Sequence, residues 1–248
     1  MKKTHPRFIF LVHQKVREKK GLLHYKKHVE NYMKKLFVVQ KQCRQTILAY
    51  QILDDTVYFL IAGNEIDAIS KFLQHLHGVV AADYAKIKDR EGPFWSRRPQ
   101  YTLIQKGAPF LRCLSLLIRL PVKKERAIHS ADWPHSSFSE SISPKKRYRI
   151  LSEDVLVSAS GLENYQEFTS WLIQDVETNH ADELTLDQIG ESVAFGEHDW
   201  ILTLRRNRHY GNLRQDSGSG SSSTSLLSGS KNSKKYLEEI LPYKRRSY

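Results

Sequence analysis

Basic and aromatic side chains crowd one stretch of this chain, where Lys86, Lys88, Arg90, Arg97 and Arg98 flank Trp95. Cations neutralise phosphates, and an indole offers a flat face on which an unpaired base can stack, so the mixture suits a single-stranded nucleic acid. The same letters also describe a core tryptophan among solvated charges. Lys123, Lys124 and Arg126, then Lys145, Lys146 and Arg147, are further cations of the same kind. Groups for bond-breaking chemistry are harder to assemble. His75-Leu76-His77 has the letters of a metal pair, but on a helix residues two apart point about 200° away from each other and cannot share an ion. Asp54-Asp55 could hold a hard cation, although a hairpin turn favours aspartate anyway. Tyr84 and Tyr101 could be nucleophiles, yet with twelve tyrosines in the chain a stray one near a sheet is expected by chance. No Gly-rich phosphate loop, nucleophile elbow or zinc spacing occurs, so the expectation is no metal and no cofactor.

The elements that must position these residues follow from hydrophobic pattern. Arg7 to His13 is apolar and β-rich and reads as a strand buried on both faces. From about Tyr25 to Gln42, Val29, Tyr32, Met33, Leu36 and Phe37 recur at helical spacing opposite Lys26, Lys27, Lys34 and Lys35, giving an amphipathic helix with a basic outer face. Thr46 to Leu53 and Thr56 to Ala62 are two strands joined by Asp54-Asp55 at hairpin length. A second helix spans about Glu65 to Lys88, and Gly92-Pro93 prevents its continuation. Tyr101 to Gln105 reads as a fourth strand and Phe110 to Ile118 as a third helix. The order strand, helix, strand, strand, helix, strand predicts an α+β fold: a ferredoxin-like antiparallel sheet with helices on one face, plus a helical C-terminal extension.

Charge divides the 248 residues unevenly. Residues 1–50 carry a net +11, residues 51–150 carry +6, residues 151–200 contain twelve acids and no Lys or Arg, and residues 201–248 carry +7. The basic excess marks a phosphate-backbone partner or, more plainly, a solvated basic face. Four regions are expected: a nucleic-acid-binding domain over 1–144, an acidic helical extension over 145–206, a flexible Ser/Gly linker over 207–233, and a short basic amphipathic tail over 234–248. Tyr236, Leu237, Ile240 and Leu241 would form one apolar face of that tail, beside Lys244-Arg245-Arg246. No apolar run reaches the ~18 residues of a membrane helix, and the start is too short for a signal peptide's core. Cys43 and Cys113 cannot make a disulfide framework, so a reducing cytoplasm is expected.

In their succession these stretches resemble the REP-associated tyrosine transposase family, single-tyrosine members of the HUH nuclease superfamily. Gly92, Trp95 and Arg98 fit the family's Gly-x-x-Trp-x-x-Arg signature. Pro121 and Val122 fit part of its Tyr-Ile-x-x-Asn-Pro-Val motif, and Trp133, Ser136 and Ser137 resemble its Trp-x-Ser-Ser motif with one extra residue. The resemblance covers about residues 5–140 and, more weakly, the acidic extension. It implies a sheet that once held two histidines at i and i+2, a divalent metal, and a tyrosine that attacks the scissile phosphate. Here Thr56 and Tyr58 stand where the imidazoles would, and Leu116 stands at the nucleophile's position, with Leu120 in place of the motif's asparagine. A hydroxyl and a phenol of pKa ~10 are poor metal ligands beside imidazole, and leucine has no nucleophile.

These replacements point to a catalytically silent relative, not an enzyme, that still binds structured single-stranded DNA or RNA in a regulatory or scaffolding role. Two alternatives belong to other classes. One is an active single-strand endonuclease or transposase with relocated catalytic residues. The other is a protein-interaction subunit that docks a partner through its acidic extension or C-terminal tail. A homodimer is compatible with any of them.

Overall fold

The structure is a computed structural model that describes residues 6–17, 23, 25–88, 93–143, 148–178, 184–206, 214–217, 224–228, 234, 237–238 and 241. It begins with β1 (Phe8–Lys15), α1 (Lys26–Gln42), β2 (Thr46–Leu53), β3 (Thr56–Gly63), α2 (Ile66–Lys88) and β4 (Gln100–Ile104). In the sheet these four strands run β2-β3-β1-β4, each antiparallel to its neighbour. The α+β, ferredoxin-like fold class is therefore the one expected. Asp54 opens the β2–β3 turn at φ +54°, a left-handed conformation that aspartate tolerates because its carboxylate can bond locally.

One face of the sheet, carrying Phe10, Val12, Tyr50, Phe59 and Leu103, packs against Tyr32 and Leu36 of α1 and Phe72 and Leu76 of α2. The opposite face is equally apolar, with Ile9, Leu11, Leu48, Leu60 and Ile104 buried. Such a face must be covered too, and the chain covers it. α3 (Ala108–Ile118), α6 (Glu153–Ser160), α7 (Tyr165–Glu177) and α8 (Leu186–Glu191) contribute Phe110, Leu117, Leu156, Phe168, Leu172 and Ile189 to this second core. Helices thus occupy both faces, where the sequence reading placed them on one. The short α4 (Leu120–Lys123) and α5 (Ser137–Ile142) complete the connection between α3 and α6.

The region after residue 144 is built into the same sheet. β5 (Ala194–Glu197) pairs parallel with β4, and α9 (His198–Arg206) follows it. The expected all-helical extension therefore contains a strand. The expected flexible linker over 207–233 contributes β6 (Arg214–Ser217) and β7 (Thr224–Ser228), and β7 pairs antiparallel with both β5 and β6. The physical reason lies in Leu226 and Leu227: Leu227 is fully buried in the first core and Leu226 packs against the second. Leu237 and Leu241 of the expected docking tail are buried in the chain's own first core, and Lys234 pairs with Asp67 at 2.9 Å. Lys244-Arg245-Arg246 lies outside the described residues. No described helix is long and apolar enough to cross a membrane.

Candidate nucleic-acid interface

The segment before β4, which carries Trp95, Arg97 and Arg98, is fixed by a buried polar network. The Trp95 indole N–H donates to the His77 carbonyl at 3.1 Å, and the two rings stack with centroids 4.1 Å apart. The Gln14 side-chain amide donates to the Arg97 carbonyl at 2.7 Å. Its oxygen accepts from Nδ1 of His77, so His77 presents Nε2 to the Tyr32 hydroxyl at 3.0 Å. Burial pushes the His77 imidazole down to about 3, and it is neutral at pH 7. Every ring nitrogen in this chain of bonds has one partner, which is what a buried polar group in a low-dielectric core requires. Phe94 packs edge-on against both Trp95 and Tyr84. Trp95 is half-buried, with one flank committed to His77. His75 is exposed and takes no part.

Backbone pairing gathers cations at this end of the sheet. Val16 bridges Trp95, Ser96 N–H donates to Lys15, and Arg17 N–H donates to Phe94. The β2–β3 turn meets the same place, because Val16 N–H donates to Asp55 and Lys15 pairs with the Asp55 carboxylate at 3.3 Å. The chain beyond α4 arrives through Arg126, whose guanidinium holds Asp54 at 3.1 Å. The start of α1 arrives through His28, which packs on Tyr84 near the end of α2. Lys15, Arg17, Lys26, Lys27, Lys86, Arg97, Arg98 and Arg126 are all exposed here. Asp54 and Asp55 are each engaged by a cation, so they offset only part of this charge.

The three positions to which the sequence resemblance assigns chemistry, Thr56, Tyr58 and Leu116, lie on the second face. Thr56 is buried and donates to the Asp55 carboxylate at 2.9 Å. Tyr58 is buried, and its hydroxyl donates to Asp187 of α8 at 3.4 Å. Burial first, and then the Asp187 charge, raises the Tyr58 phenol well above its ordinary value, which keeps it protonated. Leu116 is 4% exposed and belongs to the second core. Strand register sets Gln51, Tyr58, His13 and Gln100 side by side across β2, β3, β1 and β4. The His13 and Tyr58 rings are 5.9 Å apart, and burial lowers the His13 imidazole although Asp187 opposes this. Gln51 is fully buried, and neither end of its amide has a partner among the described residues. α8 closes over this row so tightly that a Cβ at Gly190 would sit 2.8 Å from the His13 ring. Among the described residues no three His, Cys, Asp or Glu side chains are grouped as a metal would require.

The structure thus brings Lys86, Trp95, Arg97, Arg98 and Arg126 to one end, with Lys123 and Lys124 exposed at the end of α4. The Lys88 side chain, Arg90, and Lys145, Lys146 and Arg147 lie outside the described residues. Sequence reasoning missed Lys15 and Arg17, which continue a buried strand into the basic end, and His13, whose place beside Tyr58 only strand register reveals. It also missed how the acidic segment is used: α8 lies over the row that holds Tyr58.

No family model matches the chain, and no curated protein matches it. Among solved structures, a REP-associated tyrosine transposase bound to a REP hairpin aligns with TM-score 0.49 and 14% identity, covering 58% of this chain and 85% of that one. A protein assigned as a transposase of Deinococcus radiodurans R1 aligns with TM-score 0.35 and 15% identity, over 51% of this chain and 99% of that one. The guanylyl cyclase Cya2 aligns with TM-score 0.28 and 11% identity, over 89% and 90% respectively.

Proposed function

We propose that this chain is a transposase-derived nucleic-acid-binding protein that grips a structured single strand, DNA or RNA, and does not break it. The observation that carries the reading is the basic end of the sheet, where exposed cations from five separate segments converge beside Trp95 and its buried anchor. Cations fixed on a rigid sheet end neutralise neighbouring phosphates without first being ordered, and such contacts position a strand without reading its sequence. The absence of cutting follows from the second face. A threonine engaged by Asp55, a protonated phenol under α8 and a core leucine supply neither metal ligands nor an attacking group.

The test is an anisotropy titration of the full chain with a labelled oligonucleotide hairpin bearing single-stranded flanks, repeated across salt concentrations. Affinity should fall steeply, with a slope of about −0.7 per neutralised phosphate. Replacing Arg97 and Arg98 together should weaken every oligonucleotide alike and take roughly 1.4 off that slope. A flat salt response would remove the reading. The same oligonucleotides incubated with Mg or Mn should stay intact on a denaturing gel, in wild type and in Thr56→Ala. A covalent protein–strand adduct would restore the enzyme alternative.

A further inference from the structure

Beyond Trp95 a file of aromatic rings from α2 and the start of α1 leads outward from the buried network. Trp95 is stacked on His77, and Phe94 packs across it with centroids 4.9 Å apart. Phe94 meets Tyr84 at 5.0 Å, Tyr84 meets His28 at 5.4 Å, and His28 meets Tyr25 at 5.8 Å. From Tyr84 onward exposure rises: Tyr84 is buried, His28 is half-buried, and Tyr25 is 61% exposed. Among the described Phe, Tyr and Trp side chains Tyr25 alone is exposed.

One exposed apolar side chain needs no explanation by itself. What distinguishes Tyr25 is its setting. It is the N-cap residue of α1, and its carbonyl accepts from the His28 N–H at 2.8 Å and the Val29 N–H at 3.2 Å, so its backbone is held by a helix whose Val29 and Tyr32 are buried. Its ring meets His28 at 85°, and in such a pair the ring that supplies the edge keeps both faces while the other keeps one. Tyr25 therefore has a ring face clear of His28. Cations stand around it. Lys26 and Lys27 follow it and are exposed, the first turn of α1 holds no acidic side chain, and Lys86 lies two residues beyond Tyr84. Asp83, beside Tyr84, is held by Lys35 at 2.8 Å.

We propose that Tyr25 is the base-stacking platform of this chain: an unpaired base of a bound strand lies on its open face, and the adjoining phosphates lie on Lys26 and Lys27. The inference rests on the strand-binding reading and adds to it the feature that is recognised, an unpaired base. Every base has a π-face, so the contact selects single-stranded character without selecting a sequence. Trp95, with its ring stacked on His77, supports the segment that carries Arg97 and Arg98.

The experiment is anisotropy of the full chain with two labelled probes, an unstructured thymidine strand and the same strand with abasic sites in place of its bases. Both carry the same phosphates, so their difference reads the bases. The thymidine strand should bind about tenfold more tightly. Tyr25→Ala and Tyr25→Leu should remove most of that margin while leaving the abasic affinity and the salt slope unchanged, and Tyr25→Phe should keep it. Replacing Lys26 and Lys27 together by glutamine should weaken both probes alike and take roughly 1.4 off the slope. Equal affinity for the two probes in the wild type, a margin that survives Tyr25→Leu, or a margin lost in Tyr25→Phe would overturn the inference. Salt-dependent binding of both probes with no margin between them defeats this inference and spares the proposed function. No salt-dependent binding of either probe, or of the flanked hairpin, defeats both.

Discussion

Each face of the sheet sets a histidine beside a tyrosine and a glutamine, buried in the case of His77 and half-buried in that of His13, and the two groups are satisfied to different degrees. Around His77 every ring nitrogen and both ends of the Gln14 amide are bonded, and the last bond lands on the Arg97 carbonyl. Around His13 the neighbouring Gln51 amide is buried with no partner among the described residues, and the Tyr58 hydroxyl meets an exposed carboxylate of α8 at 3.4 Å. A closed network fixes backbone in place. An open one leaves a buried polar group unsatisfied, at a cost to stability. On this comparison the first face fixes the backbone of the Trp95 segment, and the second face leaves a buried amide unbonded among the described residues.

The largest effect should come from cutting the closed network at its aromatic end. Trp95→Ala removes the stack on His77 and the bond to its carbonyl, and should cost about 3–5 kcal/mol of stability. Because the same indole anchors Arg97 and Arg98, strand affinity should fall with it, checked by urea unfolding and anisotropy on one preparation. If stability dropped while affinity held, the network would be structural only.

Acid should break the two faces to different extents. His77 is held near 3 in the folded chain, against ~6.5 when unfolded, so only the unfolded chain takes up a proton between those values. Stability is fully present above ~6.5 and is lost as pH falls below it, by up to about 1.4 kcal/mol per pH unit from His77. His13, also lowered by burial, acts in the same direction. Urea midpoints taken from pH 7 to pH 5 should fall less steeply in His77→Gln than in the wild type, and a parallel slope would mean that His77 titrates normally.

Much of this fold is legible in the letters. The apolar runs of β1 to β4 and the helical spacing of α1 and α2 place the first six elements within a residue or two. Continuous burial along β1 also implies a second helical layer, a consequence the four-strand pattern alone does not express. β7 was hidden because Thr224–Ser228 holds only two leucines, and its pairing is supplied by the edge of β5, a tertiary fact. For the site, the motif around Trp95 carries its own signal, whereas Gln14, Tyr32 and His77 share no spacing that announces a network. His13 could have been found by setting β1 against β3 in antiparallel register, since it pairs with Tyr58.

The cover over the open row should respond next. Gly190→Ala places a methyl 2.8 Å from the His13 ring, and the helix or the imidazole must move. The cost should be about 1–3 kcal/mol, the range for overpacking. On the proposed function strand affinity should stay at the wild-type value, because α8 lies on the second face and the proposed grip is at the basic end. Reduced affinity with normal salt dependence would show that α8 helps shape that end.

The smallest effect tests whether the second face is vestigial, and it has the opposite sign. Gln51 lies fully buried with a donor and an acceptor both unbonded among the described residues, beside Tyr58 in the register. Unpaired buried polar groups cost about 1–3 kcal/mol each, while leucine of similar size gains from the same apolar surroundings. Gln51→Leu should therefore leave stability unchanged or raise it by roughly 1 kcal/mol, with no change in strand binding, read from urea midpoints and anisotropy. A core position that improves when its polar group is removed is one that folding did not select. If Gln51→Leu instead destabilised the chain or weakened its grip on a strand, the amide would be serving a bound group, and the second face would have to be counted as a working site.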